Sequence, residues 1–319
     1  MTGVPLAQVA FSDFVDFSHY SELLPLVQNS LYAGAALGLL GGLVGVFVIA
    51  RDLPFAVHGI SEMSFAGAAG ALLLGGSVVA GSFVGSVVAA ALIAAMGARA
   101  RDRNSVIGVL MPFGLGLGIL FLALYEGRSA NKFGLLTGQI VAVDDARLTL
   151  MASTAVAVIL VLAVIWRPLM FASVDADVAA ARGVPVGLLH WVFMLLLGCT
   201  IAVAVQVVGA LLVLALLCTP TAAALRLTTS PVLLPVLSSL FALTSMLGGT
   251  FLALGTSIPI SPYVTTISFV IYLVARLVGR PDRRGRPPAE PGTDAASPGT
   301  SGDAADRLGP TPVTVAAAR

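Results

Sequence analysis

The chain has 319 residues, 58% hydrophobic and 10% charged, with a net charge of +1 and a mean hydropathy of +1.00. That balance excludes a soluble domain, and scattered arginines without interleaved aromatics give no basis for binding nucleic acid. Near-continuous apolar runs such as LGLLGGLVGVFVIA (37–50) exclude a barrel, whose strands would alternate apolar and polar residues. The expected fold is all-α, a polytopic transmembrane helical bundle embedded in membrane lipid.

Residues 1–26 carry Asp13, Asp16 and Glu22 but no Lys or Arg, and read as an external N-terminal segment. No positive n-region with an early apolar core opens the chain, so the first apolar run reads as a retained helix. Phe11, Phe14 and Phe17 suit an interfacial helix there.

The transmembrane body, 27–279, divides into nine hydrophobic segments, at about 28–50, 54–75, 77–98, 104–125, 148–166, 187–208, 209–227, 232–254 and 259–278. The reversals at Gly75-Gly76 and at Val208-Gly209 could each belong to a broken helix, so eight or ten spans fit as well. Arginines of GARARDR (97–103) and RLVGRPDRRGR (276–286) place both on the cytoplasmic side, which puts the N-terminus outside and the C-terminus inside. The loop 126–147 runs against this rule, because it would be external with Arg128, Lys132 and Arg147. Residues 280–319, rich in Pro, Gly, Ala and Ser, read as a disordered cytoplasmic tail. Cys199 and Cys218 lie in apolar runs without a CxxC spacing and read as packing residues.

Only two ionisable side chains lie within a span, away from its ends: His58 and Glu62, in FAVHGISEMSFAG (55–67). A charge near the bilayer centre costs about 2.5–3.5 kcal/mol, so such residues mark a function. A spacing of four puts both on one helical face. Counting about 1.5 Å per residue from Arg51 sets Glu62 about 16 Å deep, near the midplane, where transporters hold cargo. The pair has three readings: ligands for a divalent cation such as zinc or manganese, a proton relay, or a self-neutralising structural pair. Ser61 and Ser64 flank Glu62 as candidate supporting groups, with back-bonding to helix carbonyls as the alternative.

No HExxH, GxSxG or GxxxxGK[ST] motif is present, so the chain is expected not to be an enzyme, and any ATP hydrolysis belongs to another polypeptide. In SVDADVAAARGVPVGLL (173–189), Asp175 or Ser173 can cap a short helix to Ala181, which Gly183 and Pro185 end. It reads either as a solvated connection or as a docking element for a cytoplasmic partner.

Four segments in order resemble the ABC-3 family, the permease subunits of zinc and manganese ABC importers. These are 21–67, FGLLTGQIVAVDDARL (133–148), DADVAAARGVPV (175–186) and VGALLVLALLCTPTAAALRL (208–227). The resemblance implies a prokaryotic cell-membrane protein working as a homodimer with cytoplasmic ABC ATPase subunits and an extracellular metal-binding protein. It implies transported Zn2+ or Mn2+ and no permanently bound cofactor. It also implies a coupling role for Asp175, Asp177, Ala181, Arg182 and Gly183. Many members carry DxxxH where this chain has His58 and Glu62, so the nitrogen and carboxylate ligands stand in reversed order. Some carry an acid near Ser257, where this chain offers a hydroxyl. The rival functions are a permease for siderophore- or cobalamin-type cargo, an ion-coupled secondary transporter, and an intramembrane enzyme, which lacks a third catalytic group.

Overall fold

A computed structural model describes residues 28–96, 100–127, 134, 143–254 and 259–279. The N-terminal segment, most of the 126–147 loop and the proposed tail lie outside the described residues.

The described residues are helical apart from short connections. The elements are α1 (Gln28–Ala50), α2 (Pro54–Leu73), α3 (Val78–Met96), α4 (Ala100–Leu124), α5 (Asp145–Val174), α6 (Ala176–Ala181), α7 (Val186–Val208), α8 (Val213–Leu227), α9 (Leu233–Leu254) and α10 (Ile260–Val278). Each of the nine expected segments holds one helix. Seven are long and apolar enough to cross a bilayer by length and composition. The other two depart for physical reasons. Helix α2 carries His58, Ser61, Glu62 and Ser64, which lower its apolarity. Helix α8 has 15 residues, because Gly209 takes φ +84° and unwinds the chain before Val213.

That unwound turn is buried, with Val208 and Ala210 both at 0% exposure. The Ser261 hydroxyl, from the start of α10, donates to the Val208 carbonyl. Non-helical backbone survives at membrane depth only under such cover. Helix α5 extends beyond its expected 148–166 to 30 residues, running through Arg167 and Pro168.

Ring contacts and hydrogen bonds fix the directions. Asn29, at the start of α1, donates to the Val143 carbonyl at 3.2 Å and to Asp145 at 2.7 Å, so α1 and α5 begin on one side. At the other end, Phe47 meets Trp166 edge-on at 4.7 Å, and the Arg51 guanidinium lies 5.6 Å over the Phe193 ring. Helix α1 therefore ends where α5 ends and α7 begins.

Two groups of helices share the bundle. Helix α2 packs mainly on α3 and α4, while α1 packs mainly on α9, with α8 and α10 beside it. Small residues set both seams: a Cβ on Gly42 would fall on the Ser239 backbone, and one on Gly67 would fall on the Gly81 carbonyl oxygen. Such close approach replaces the hydrophobic drive that lipid cannot supply.

Candidate metal site on helix α2

Pro54 begins α2, where its fixed φ suits the first turn and its missing N–H costs nothing. One turn later comes His58, and one turn after that Glu62. His58 Nε2 lies 3.7 Å from Glu62 Oε1, with the His58 side chain 27% exposed and that of Glu62 2% exposed. Both Glu62 oxygens and His58 Nδ1 are buried and lack a hydrogen-bond partner among the described residues. A pair meant only to neutralise itself would close to a normal hydrogen bond of about 2.7–3.2 Å. This pair stops short of that and leaves three polar atoms without partners.

Neighbouring helices wall the pair in. A Cβ on Gly114 of α4 would lie 3.0 Å from the Glu62 carbonyl carbon and 3.2 Å from its Cβ, so α4 lies directly against this turn. On the α3 side, a Cβ on Gly85 would strike the Met63 carbonyl oxygen.

The two flanking serines are used elsewhere. Ser61 Oγ donates to the His58 carbonyl at 2.8 Å, the back-bonding alternative. Ser64 Oγ lies 2.7 Å from Ser82 Oγ, and Ser82 Oγ donates to the Ala202 carbonyl at 3.2 Å, which ties α2, α3 and α7 together. Neither serine is a hydrogen-bond partner of Glu62. Ser257 lies outside the described residues. Among the described residues no cluster of three or more His, Cys, Asp and Glu forms, so any further donors are carbonyls, hydroxyls, water or groups beyond these residues. Cys199 and Cys218 are free and partly buried on α7 and α8.

The short helix α6 forms as its residues direct. Asp175 caps it, accepting from the Val178 N–H at 2.9 Å, whereas Ser173 donates back to Leu169 at 2.6 Å within α5. Its end is a Schellman turn: Gly183 at φ +82° donates to Ala180, and Val184 donates to Ala179 at 3.0 Å. Asp175, Asp177, Ala181, Arg182 and Gly183 are all exposed, and Ala179 alone is buried. Beside them stand Val174 and Val178, 81% and 46% exposed. Sequence reasoning passed over both, although two exposed valines four residues apart are the signal of a surface awaiting cover.

With this geometry in place, the comparisons are specific. The manganese import system permease protein ScaB of Streptococcus parasanguinis is 30% identical over 277 residues, covering 86% of this chain and 97% of that protein. The manganese transport system membrane protein MntC of Halalkalibacterium halodurans is 27% identical over 250 residues, covering 78% and 86%. Among solved structures, a chain of PsaBC from Streptococcus pneumoniae in complex with Fab superposes with a TM-score of 0.74 at 26% identity, covering 85% of this chain and 98% of that one. Residues 24–279 match the ABC 3 transport family, and this multi-pass membrane protein belongs to it.

Proposed function

We propose that the chain is the membrane permease subunit of an ATP-driven importer of manganese(II), in which Glu62 and His58 offer the ion donors midway along its path. The observation that carries this reading is the buried Glu62 carboxylate, whose two oxygens have no hydrogen-bond partner among the described residues. A carboxylate in that state wants a cation, and the basic group beside it among the described residues, His58, stands at 3.7 Å. Carboxylate, carbonyl and water suit manganese, and one imidazole adds a borderline ligand. The manganese systems named for the relatives support the choice over zinc.

Membership of the family supports the remaining parts of the reading. Hydrolysis belongs to separate cytoplasmic ATPases that dock on α6 and on the exposed Val174 and Val178. An external metal-binding protein delivers the ion, and two permease copies complete the path. The buried Ser64 and Ser82 hydroxyls hold α2 in place and do not ligate the ion.

The test is uptake of manganese and zinc by cells carrying the whole transporter, with wild type, His58→Ala and Glu62→Ala at equal membrane levels. Manganese uptake is expected to fall at least tenfold in both variants. Loss of zinc uptake alone reassigns the metal. Unchanged uptake of both metals removes the pair from the path.

A further inference from the structure

On the cytoplasmic side, as the arginines orient the chain, α8 and α10 end together, and three polar side chains converge there. Arg226 Nη2 from α8 lies 3.5 Å from the Tyr272 hydroxyl, and Arg276 Nη1 from α10 lies 3.5 Å from the same oxygen. Two guanidinium groups thus face one phenol oxygen, each at the outer limit of a hydrogen bond. Neither has an ion pair with a carboxylate among the described residues. Like charges held this close, each with most of its five N–H donors unspent, form a seat for an anion with several acceptor oxygens.

The surroundings say which anion. Phe269, Tyr272, Leu273 and Arg276 stand at i, i+3, i+4 and i+7, on one stripe of α10. Phe269 is 56% exposed and Leu273 41%. The stripe is therefore apolar toward the bilayer interior, phenolic next, and cationic at the end. Tyr272 sits six residues before the end of α10 at Val278, about 9 Å into the span at the helical rise. Next to the arginines in sequence, Leu225 and Leu227 on α8 and Leu277 on α10 are exposed and apolar, with Thr229 and Ser230 exposed just beyond α8.

We infer that Arg226, Arg276 and Tyr272 hold the phosphate of an anionic phospholipid of the cytoplasmic leaflet, with an acyl chain lying along Leu273 and Phe269. Basic pockets between helices on this side of a membrane take such headgroups. The inference is independent of the metal and of the site on α2.

Native mass spectrometry of the purified full-length chain tests it, with phosphatidylglycerol and phosphatidylcholine titrated at equal concentrations. Wild type is expected to bind one phosphatidylglycerol at least fivefold more tightly than any phosphatidylcholine. R226Q/R276Q is expected to abolish that preference, and R226K/R276K to retain at least half of it. R276Q alone, at the exposed helix end, should lower the preference at least twofold and serves if the double variant does not purify as a single species. An equal preference in wild type and R276Q overturns the proposal. So does displacement of the lipid by an equal concentration of inorganic phosphate, which marks a simple anion site. Loss of ATPase co-purification in R226Q/R276Q with the lipid preference intact overturns it too, and makes the pair a protein contact.

Discussion

Glu62 Oε1 stands 3.7 Å from His58 Nε2, yet neither oxygen of this buried carboxylate has a hydrogen-bond partner among the described residues. Such a group destabilises the fold that contains it, since replacing buried charge with well-packed apolar residues is often neutral or stabilising by about 1–4 kcal/mol. Glu62→Leu should therefore abolish uptake while leaving the thermal midpoint of the detergent-solubilised protein unchanged or higher. A clear drop in that midpoint would instead identify Glu62 as a structural residue.

On the proposed function, His58 and Glu62 hold nitrogen and carboxylate in the reverse of the DxxxH order that the resemblance implies, which gives a second prediction. If the ion needs only one nitrogen and one carboxylate on this face, exchanging them should preserve the set. His58→Asp with Glu62→His should keep at least a tenth of wild-type manganese uptake, while each single change loses it. Uptake no better in the double variant than in the singles would mean that position, and not ligand type, decides.

The seam between α2 and α3 is the tightest support of the site. An alanine methyl at Gly85 would strike the Met63 carbonyl oxygen, whereas at Gly108 it would meet nothing within 4 Å. Overpacking costs about 1–3 kcal/mol, and Gly→Ala in an open helical position gains up to about 1 kcal/mol. Gly85→Ala should lower the thermal midpoint and Gly108→Ala should not; equal effects would contradict the packing described here.

Helix α6 owes its ends to two residues. Asp175→Ala removes a cap hydrogen bond worth about 0.5–2 kcal/mol, and Gly183→Ala forces an L side chain to φ +82°, at about 1–2 kcal/mol. Both should reduce metal transported per ATP hydrolysed by the assembled transporter more than they reduce its amount in the membrane. Normal stoichiometry in both variants would detach α6 from coupling.

The segment after Arg280 is expected to take no part in transport. A chain truncated there, inserted at normal level, should import manganese at the full rate, and a loss of uptake would assign the tail a role.

Much of this was legible in the residues. Apolar runs gave every helix but α5 within a few positions, and α1 and α7 almost to the residue, because their ends coincide with turns at Arg51 and at Gly183–Pro185; α5 runs eight residues past its apolar run, to Val174. The α6 cap and stop were readable because capping chemistry is local. The shortening of α8 was not, since Gly209 could have continued a helix and adopts its positive φ only where Ser261, 53 positions beyond Val208, covers the Val208 carbonyl. The partner of Ser64 was equally hidden: a serine beside a candidate ligand looks like part of the site until Ser82, on another helix, is seen to engage it. Gly67 and Gly114 became visible only when α3 and α4 were placed against them.

On the proposed function both donors rise from a single helix, and that helix is locked by glycine contacts to α3 and α4 while barely touching α1. A rigid displacement of this three-helix unit would carry His58 and Glu62 together and leave their spacing unaltered. An importer must nevertheless grip its ion in one state and surrender it in the next. On that reading α7 moves with the unit, since the Ser64–Ser82–Ala202 chain ties it to α2 and α3, and the change in grip comes from donors opposite, on α8 or a second copy, so that release is a matter of withdrawing the far wall of the cage while the near wall stays fixed.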